Sequence, residues 1–176
     1  MKKGLIHIYT GDGKGKTTAA LGLCLRAAGH GLHVEIFQFL KNGITGELQT
    51  LAKLNRVNLQ RAQTDIKKFS WQMTPDEKEL WNDAQQSLFD AACEKACDPN
   101  IDMVIMDEIL GALSAGAIDI GQIKYLMSHK YKGTELVLTG RNAPPALIEL
   151  ADYVTEMKCE KHPHQQGIDA RRGVEY

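Results

Sequence analysis

A glycine-rich turn near the start of the chain constrains the fold more than any other feature of the sequence. The turn is the nonapeptide Thr10-Gly11-Asp12-Gly13-Lys14-Gly15-Lys16-Thr17-Thr18. The apolar run at residues 5–9 predicts a strand before it, and residues 17–28 predict a helix after it. A strand, a glycine-rich loop ending in Gly-Lys-Thr, and a helix are typical of a loop that holds the phosphates of a nucleoside triphosphate. The alternative is a tight turn that only caps a helix.

The residue types in this turn suit an anion for simple physical reasons. Its glycines lack a Cβ atom, so backbone N–H groups can curl around the anion, and the helix adds the positive end of its dipole. Lys16 is expected to reach the outer phosphates, and the Thr17 hydroxyl is expected to bind Mg²⁺. Two residues depart from this pattern. Thr10 stands where the motif usually begins with glycine, and Asp12 brings a negative charge to a site for anions.

Two carboxylates follow a strongly apolar run in the second half of the chain. Residues 103–106 predict a buried strand, and Asp107 and Glu108 come directly after it. We expect this strand to lie beside the first one, with an acid at its carboxyl end completing the Mg²⁺ shell directly or through water. The spacing does not decide which acid binds the metal, and a solvated acidic turn is the alternative.

Arg141 follows a further apolar run that is predicted to end at the same edge of the sheet. Residues 136–138 predict a buried strand, which Thr139 and Gly140 connect to the arginine. Arg141 is therefore a candidate for contact with phosphate or ribose. An ordinary surface arginine fits the sequence almost as well.

Short apolar or β-branched runs alternate with helical patterns along the whole chain. These runs lie at residues 5–9, 33–39, 57–59, 103–106, 136–138 and 153–155. The alternation predicts an α/β fold with a mostly parallel central sheet between two helical layers, the α/β/α arrangement of RecA-like P-loop NTPases. Thr74 with Glu77, and Asp119 with Gln122, are expected to cap two of the helices. Without a linker or a repeat, residues 1–176 are expected to form a single nucleotide-binding domain.

Charge and composition exclude several functions. A net charge of −1, with no long basic run, argues against a nucleic-acid partner. No apolar run approaches the roughly 18 residues that cross a bilayer, and no signal peptide is visible, so we expect a cytoplasmic protein without a membrane partner. The four cysteines lack the spacing of a metal site and are interpreted as free thiols.

Two further segments have two interpretations each. Phe69 and Trp71 lie in a polar loop, where they either fold onto the start of the next helix or form an aromatic wall against a flat ligand. Residues 158–176 show no period and are either disordered or functional. Within them, His162 and His164 flank a proline, and contacts with solvent or phosphate explain these histidines better than a metal site does.

Together these motifs resemble those of the ATP:corrinoid adenosyltransferases, the P-loop family that makes adenosylcobalamin in bacteria. The resemblance runs along nearly the whole chain. It covers residues 11–20, 29–31, 37–43, 69–71, 106–108, 138–141, 151–157, 161–162, 167–170 and 173–176. The P-loop alone is weak evidence, whereas its combination with Phe-x-Trp, Thr-Gly-Arg and the closing segment is specific.

The resemblance implies an enzyme that transfers the 5′-deoxyadenosyl group of ATP to the cobalt of a reduced corrinoid and releases triphosphate. The acceptor in this family is cob(I)alamin or cob(I)yrinic acid a,c-diamide. ATP is the co-substrate, and Mg²⁺ or Mn²⁺ is the implied cofactor. The resemblance also implies a homodimer and, as a further partner, a flavoprotein that supplies electrons.

The resemblance also assigns roles to residues of this sequence. Lys16, Phe69 and Trp71 are the catalytic candidates, and the aromatic pair matches one credited with excluding the lower axial ligand of cobalt. The metal candidates are Thr17, Glu108 and Asp107. The nucleotide is expected to contact Arg141 and the loop residues Thr10, Gly11, Asp12, Gly13, Lys14, Gly15, Lys16, Thr17 and Thr18. The family does not begin this loop with glycine either, so Thr10 is expected there, whereas Asp12 replaces an asparagine that many members carry.

Two other functions are compatible with the sequence. One is a P-loop kinase or ATPase that acts on the γ-phosphate, although a nucleotide kinase needs an arginine-rich lid and the six arginines here are scattered. The other is a corrinoid-binding carrier without fast turnover. A kinase or ATPase would release ADP, whereas adenosyl transfer releases free triphosphate. A carrier would bind the corrinoid without turnover.

Overall fold

The computed structural model describes residues 3–41, 43, 45–66, 68 and 72–174. Within them, the strands are β1 (Ile6–Thr10), β2 (Val34–Gln38), β3 (Val57–Arg61), β4 (Met103–Asp107), β5 (Glu135–Thr139) and β6 (Tyr153–Glu156). The helices are α1 (Lys16–Gly29), α2 (Gly46–Leu51), α3 (Pro75–Cys97), α4 (Ile109–Ser114), α5 (Ile120–His129) and α6 (Pro145–Ile148). A 3-10 helix follows at Pro163–Gln166. Each of the six predicted strands is present at its predicted place.

All strands pair in parallel, in the order β3-β2-β4-β5-β1-β6. Side chains on alternate positions of the central strands point to opposite faces of the sheet. In β4, Val104 and Met106 belong to the core under α3, α4 and α5, whereas Met103 and Ile105 belong to the core under α1. The three-layer α/β/α fold predicted from the sequence is therefore confirmed.

The position of β4 corrects one expectation. The strand that ends in Asp107 does not lie beside β1, because β5 lies between them. Helix α1 nevertheless contacts β1, β5 and β4, so its first turn reaches the carboxyl end of β4. An apolar strand pattern indicates burial on both faces, but it carries no information about which strands are neighbours.

Local signals explain where the longer helices begin. The side chain of Thr74 accepts from the Glu77 backbone N–H, and Asp119 with Gln122 forms a second capping box, as predicted. Helices α2 and α4 have six residues each and were not predicted, because less than two turns is too short to show a helical period. No helix in the described part of the chain has the length and apolar character needed to cross a membrane.

Candidate functional site

The loop between β1 and α1 is held in place by the chain that follows β6. The Met157 N–H donates to Thr10 O at 2.8 Å, and the Gly13 N–H donates to Met157 O at 2.7 Å. A Cβ atom on Gly11 would lie 2.4 Å from Met157 O, and one on Gly13 would lie 2.7 Å from Lys158 O. A side chain on Gly11 or Gly13 would clash with the backbone of residues 157 and 158, so glycine is needed at both positions even before any anion is considered. One loop N–H group is already used inside the protein.

Thr10, the residue that departs from the usual motif, has a structural contact. Its side chain is buried, and its Oγ1 accepts a hydrogen bond from the Ala143 N–H at 3.1 Å. A glycine at this position has no atom that can make this bond. Thr10 and Gly11 do not line the pocket described below, whereas the remaining seven residues of the nonapeptide do. The hydroxyl of Thr10 therefore joins the β1–α1 loop to the segment after β5.

Lys16, the first residue of α1, folds back across the loop. Its Nζ donates to Gly11 O at 2.6 Å and to Gly13 O at 2.8 Å. Burial lowers the pKa of the Lys16 ammonium, while the negative charge of Glu108 opposes this shift. To bind a phosphate, the ammonium exchanges these carbonyl oxygens for phosphate oxygens.

Asp107 is the centre of a hydrogen-bond cluster at the carboxyl end of β4. Its Oδ1 accepts from Thr17 Oγ1 at 2.8 Å and from Thr139 Oγ1 at 2.7 Å. Its Oδ2 accepts from Gln38 Nε2 at 3.2 Å and lies 2.8 Å from Lys41 Nζ. The side chain is fully buried, so each of these donors compensates for water that the carboxylate has lost.

Glu108, the second acid of the pair, has a different environment. It precedes α4 in a left-handed conformation with φ of 64°, and its backbone N–H donates to Thr139 Oγ1 at 2.9 Å. No residue in the described ranges donates a hydrogen bond to its carboxylate. Burial raises the pKa of this carboxyl, and the negative charge of Asp107 adds to the effect. Within the described part of the chain, the carboxylate oxygens of Glu108 therefore accept no hydrogen bond, whereas both oxygens of Asp107 do.

The negative charge of Asp12 lies near a positive one. Asp12 Oδ1 is 3.9 Å from Arg141 Nε, and both side chains are largely exposed, at 75% and 64%. An ion pair with this much exposure contributes little stability. The structure thus places Arg141 beside the loop. It also gives Asp12, whose negative charge is unusual in such a loop, a positively charged neighbour.

A pocket with a volume of about 800 Å³ opens beside the loop. This size is within the range of small-molecule sites. The wall opposite the loop belongs to the segment between β2 and α2, and the C-terminal segment contributes a third side. The lining residues are Asp12, Gly13, Lys14, Gly15, Lys16, Thr17, Thr18, Leu21, Lys41, Gly43, Thr45, Gly46, Glu47, Arg141, His162, Gly173 and Val174. Four of them are Lys or Arg, which suits a polyanionic ligand.

The wall between β2 and α2, here called the β2–α2 wall (residues 41, 43 and 45–47), was not identified from the sequence. Arg61 Nε and Nη2 donate to Gln38 Oε1 at 2.8 and 2.6 Å. Its guanidinium also donates to Gly43 O and, at 2.8 Å, to Thr45 Oγ1. Glu47 Oε1 lies 3.7 Å from Lys41 Nζ. Residues 37–43 belong to the family resemblance, which assigned no role to Gln38 or Lys41, and the sequence carried no signal for Glu47 or Arg61.

Three further expectations from the sequence concern the aromatic pair Phe69 and Trp71, the histidine His162 and a metal site. Phe69 and Trp71 lie outside the described residues, so the structure does not distinguish their two interpretations. His162 lines the pocket, as part of the unpatterned C-terminal segment. Among the described residues, no three His, Cys, Asp or Glu side chains come together as a metal site. A cation near Thr17 and Glu108 therefore needs phosphate oxygens or water as additional ligands, which is usual for Mg²⁺.

The family model described as ATP:corrinoid adenosyltransferase BtuR/CobO/CobP matches residues 2–176. A corrinoid adenosyltransferase of Sinorhizobium sp is 37% identical over 177 residues, which cover 99% of this chain and 81% of the relative. Corrinoid adenosyltransferases of Pseudomonas aeruginosa and Escherichia coli strain K12 are each 30% identical, covering 99% of this chain and 85% and 87% of the relatives.

A comparison with solved structures tests the fold alone. ATPases 2 and 3 of EssC from Geobacillus thermodenitrificans superpose with a TM-score of 0.51 and 17% identity. The superposition covers 97% of this chain and 35% of that chain, so this protein spans about a third of the ATPase structure. The two structures therefore share the α/β fold.

Proposed function

The chain belongs to the ATP:corrinoid adenosyltransferase family, and from this premise we propose that it transfers the 5′-deoxyadenosyl group of ATP to a reduced corrinoid. The observation that carries the proposal is the pocket beside the β1–α1 loop. There Lys14, Lys16, Lys41 and Arg141 surround the N-terminus of α1. A site with this charge suits a whole triphosphate, which is the leaving group of the proposed reaction.

The proposed reaction is a displacement at carbon. The Co(I) of cob(I)alamin or cob(I)yrinic acid a,c-diamide attacks C5′ of the ATP ribose, and the cobalt–carbon bond forms with two electrons from cobalt. The bond between C5′ and its oxygen breaks, and its electron pair leaves with the triphosphate. This step needs no general base, because no proton is transferred. The protein contributes alignment of the cobalt and C5′, which can supply roughly 7–11 kcal/mol.

The second requirement of the reaction is that the negative charge on the leaving triphosphate is stabilised. We propose that Lys16 and the backbone N–H groups at the start of α1 stabilise this charge. Lys14, Gly15, Thr18 and Arg141 line the same pocket and are proposed nucleotide contacts. Thr10 and Gly11 support the loop from behind through backbone and hydroxyl bonds.

The described residues fit Mg²⁺ or Mn²⁺ next to the triphosphate. Thr17 donates its hydroxyl proton to Asp107, which leaves the lone pairs of Oγ1 for a cation. Glu108 has no described hydrogen-bond donor at its carboxylate, so we propose Thr17 and Glu108 as direct ligands and Asp107 as the residue that orients Thr17. When bound, the divalent cation neutralises charge on the triphosphate.

The product mixture tests this proposal against its two alternatives. The protein is incubated with ATP, Mg²⁺ and a chemically reduced corrinoid, and the phosphate products and the light-sensitive cobalt–carbon spectrum are measured. Free triphosphate with a cobalt–carbon bond is the expected result. ADP with inorganic phosphate would overturn the proposal in favour of a kinase or ATPase. Tight corrinoid binding without turnover would favour a carrier.

Phe69 and Trp71 are proposed to act on the reduction of cobalt rather than on the transfer itself. If they exclude the lower axial ligand, they favour four-coordinate Co(II), which is easier to reduce than five-coordinate Co(II). Phe69→Ala or Trp71→Ala is then expected to slow the reaction from cob(II)alamin at least about tenfold more than the reaction from prepared cob(I)alamin. Tyr125→Ala, which removes an exposed aromatic side chain of α5, is the control. Equal losses with both substrates would show that the pair only packs.

Family membership also supports four further proposals. We propose that the chain forms one nucleotide-binding domain, acts as a homodimer in the cytoplasm, and receives electrons from a flavoprotein.

A further inference from the structure

The Asp107 carboxylate has four contacts with side chains of described residues, and they are not equivalent. Thr17, Thr139 and Gln38 are neutral donors, and only the ammonium of Lys41 carries a positive charge. Lys41 also differs in position. Its side chain is 25% exposed and lines the pocket, whereas the carboxylate it contacts is fully buried. Lys41 is therefore the charged partner of Asp107 that can move into the pocket without opening the core.

Lys41 lies between two carboxylates. Its Nζ is 2.8 Å from Asp107 Oδ2 and 3.7 Å from Glu47 Oε1. Gln38 Nε2 contacts the same two oxygens, at 3.2 Å and 3.5 Å. Burial opposes ionisation of the Glu47 carboxyl, but its pKa is lowered by a hydrogen bond from its own backbone N–H, then by a hydrogen bond to Thr45, the positive charge of Lys41 and a hydrogen bond to Gln38. Glu47 is thus a ready second acceptor for the Lys41 ammonium.

The scaffold around this pair is fixed by Arg61. Its guanidinium bonds to Gln38, Gly43 and Thr45 join the end of β3 to both ends of the segment that carries Lys41. Arg61 thus holds the backbone of the β2–α2 wall, while the long side chain of Lys41 lines the pocket and reaches Asp107. A lysine has a flexible four-carbon stem and a compact charge, so it can change partners while its backbone stays in place.

A divalent cation held by Thr17 and Glu108 would lie near the carboxylate that Lys41 already neutralises. Thr17, a proposed ligand of the cation, bonds to Asp107 Oδ1, and Lys41 bonds to Oδ2 of the same group. A cation bound to Thr17 would therefore place a second positive charge beside a carboxylate that is already paired with Lys41, and like charges repel each other in a partly buried site. Neutral donors such as Thr139 and Gln38 feel no such repulsion.

We propose that Lys41 is an exchangeable counter-ion of Asp107. Its ammonium neutralises the buried carboxylate before a divalent cation binds, and it moves to Glu47 when the cation arrives. The inference rests on the proposed metal–nucleotide site and adds two residues to it, neither of which the P-loop motif contains. No covalent bond changes in this step, and the charge of the protein is conserved.

Mn²⁺ binding to the full-length protein without ATP or corrinoid tests the inference. The free Mn²⁺ concentration is followed by electron paramagnetic resonance during a titration. Lys41→Met removes the competing charge and is expected to bind Mn²⁺ about tenfold more tightly than the parent protein. Lys41→Arg keeps the charge and should stay within about threefold of the parent protein. Lys124→Met, on the exposed side of α5, is the control for lost surface charge. Mn²⁺ affinity in Lys41→Met that is equal to the parent protein's, weaker or undetectable overturns the proposal.

Glu47→Gln tests the second half of the exchange and leaves the Lys41–Asp107 pair in place, so it is informative even if Lys41→Met does not fold. With Lys41 present, this change is expected to weaken Mn²⁺ binding about threefold to tenfold, because the displaced ammonium loses its acceptor. In the Lys41→Met background, the same change should have no effect. An equal effect in both backgrounds would make Glu47 a metal ligand and overturn its role as acceptor.

Failure of this inference and failure of the proposed function give different results. The titration contains neither ATP nor corrinoid, so an ADP product in the activity assay leaves its outcome untouched. Conversely, adenosyl transfer with unchanged Mn²⁺ affinity in Lys41→Met overturns the exchange alone.

Discussion

Replacing Lys16 by methionine is expected to lower kcat/KM for adenosyl transfer by about 10³-fold, because the leaving triphosphate loses its nearest fixed positive charge. Lys16 begins α1, and its Nζ already points across the loop to Gly11 O and Gly13 O. These two bonds are made to neutral backbone carbonyls, not to a buried carboxylate. The loss of stability is therefore expected to be only about 1 kcal/mol.

The measurement compares triphosphate release by the Lys16→Met protein and the parent protein at several ATP concentrations. Lys14→Met is the matched comparison, since Lys14 lies on the same loop but is exposed. Its loss is expected to stay below about tenfold. Lys16→Arg keeps the charge and should recover part of the rate. A Lys16→Met protein that retains more than a tenth of the parent rate would contradict a role for Lys16 in stabilising the leaving group.

Asp107→Ala is expected to lower the free energy of unfolding by about 3–5 kcal/mol, because it removes the buried carboxylate that accepts three hydrogen bonds and forms the shorter ion pair of Lys41. The donors Thr17, Thr139 and Gln38 and the Lys41 ammonium all meet this carboxylate. Urea denaturation followed by circular dichroism measures the effect.

Glu108→Gln is the matched control for this change, because it alters the neighbouring acid at the end of the same strand. No residue in the described part of the chain donates to the Glu108 carboxylate, so the free energy of unfolding should stay within about 1 kcal/mol. Burial raises the pKa of Glu108 in the folded protein, so its ionised form disfavours folding, and a neutral glutamine removes that cost at neutral pH. Equal destabilisation by both changes would contradict the different environments of the two acids.

Glu108→Gln also tests which of the two acids, Asp107 or Glu108, binds the metal directly. If Glu108 binds the cation directly, Glu108→Gln should raise the Mg²⁺ concentration needed for half-maximal turnover about tenfold or more. An unchanged Mg²⁺ requirement would assign the direct contact to Asp107 instead. The two measurements together decide between alternatives that the spacing of adjacent acids leaves open.

Much of the fold could be predicted because its signals are local. Alternating apolar runs indicated six strands, and capping boxes at Thr74 and Asp119 marked two helix starts that the structure confirms. The family prediction is likewise confirmed, since its motifs are short and contiguous. The expected neighbour of β1 was wrong, because strand order is set by how helices cross over the sheet. The roles of Phe69 and Trp71 stay predictions.

The candidate site likewise contains some residues that the sequence pointed to and others that it did not. The loop residues, Asp107 and Glu108 were found because they stand in a motif or directly after an apolar strand. Gln38 and Lys41 lie in residues 37–43, which belong to the resemblance, but neither they nor Glu47 and Arg61 were given a role. These four residues come from three separate segments, and each is an ordinary polar residue when considered alone. They meet only after β2, β3 and β4 align their carboxyl ends.

The sequence by itself determined the phosphate loop, the alternation of strands and helices, and the family, because each depends on residues that are close together in the chain. The tertiary structure alone decided what those residues contact. It placed Thr17 and Lys41 on the two different oxygens of Asp107 and set Glu47 beside Lys41. Among the residues it describes, none donates a hydrogen bond to the Glu108 carboxylate. The partners of a charge depend on strand order and register, which result from long-range packing of the core rather than from any local pattern.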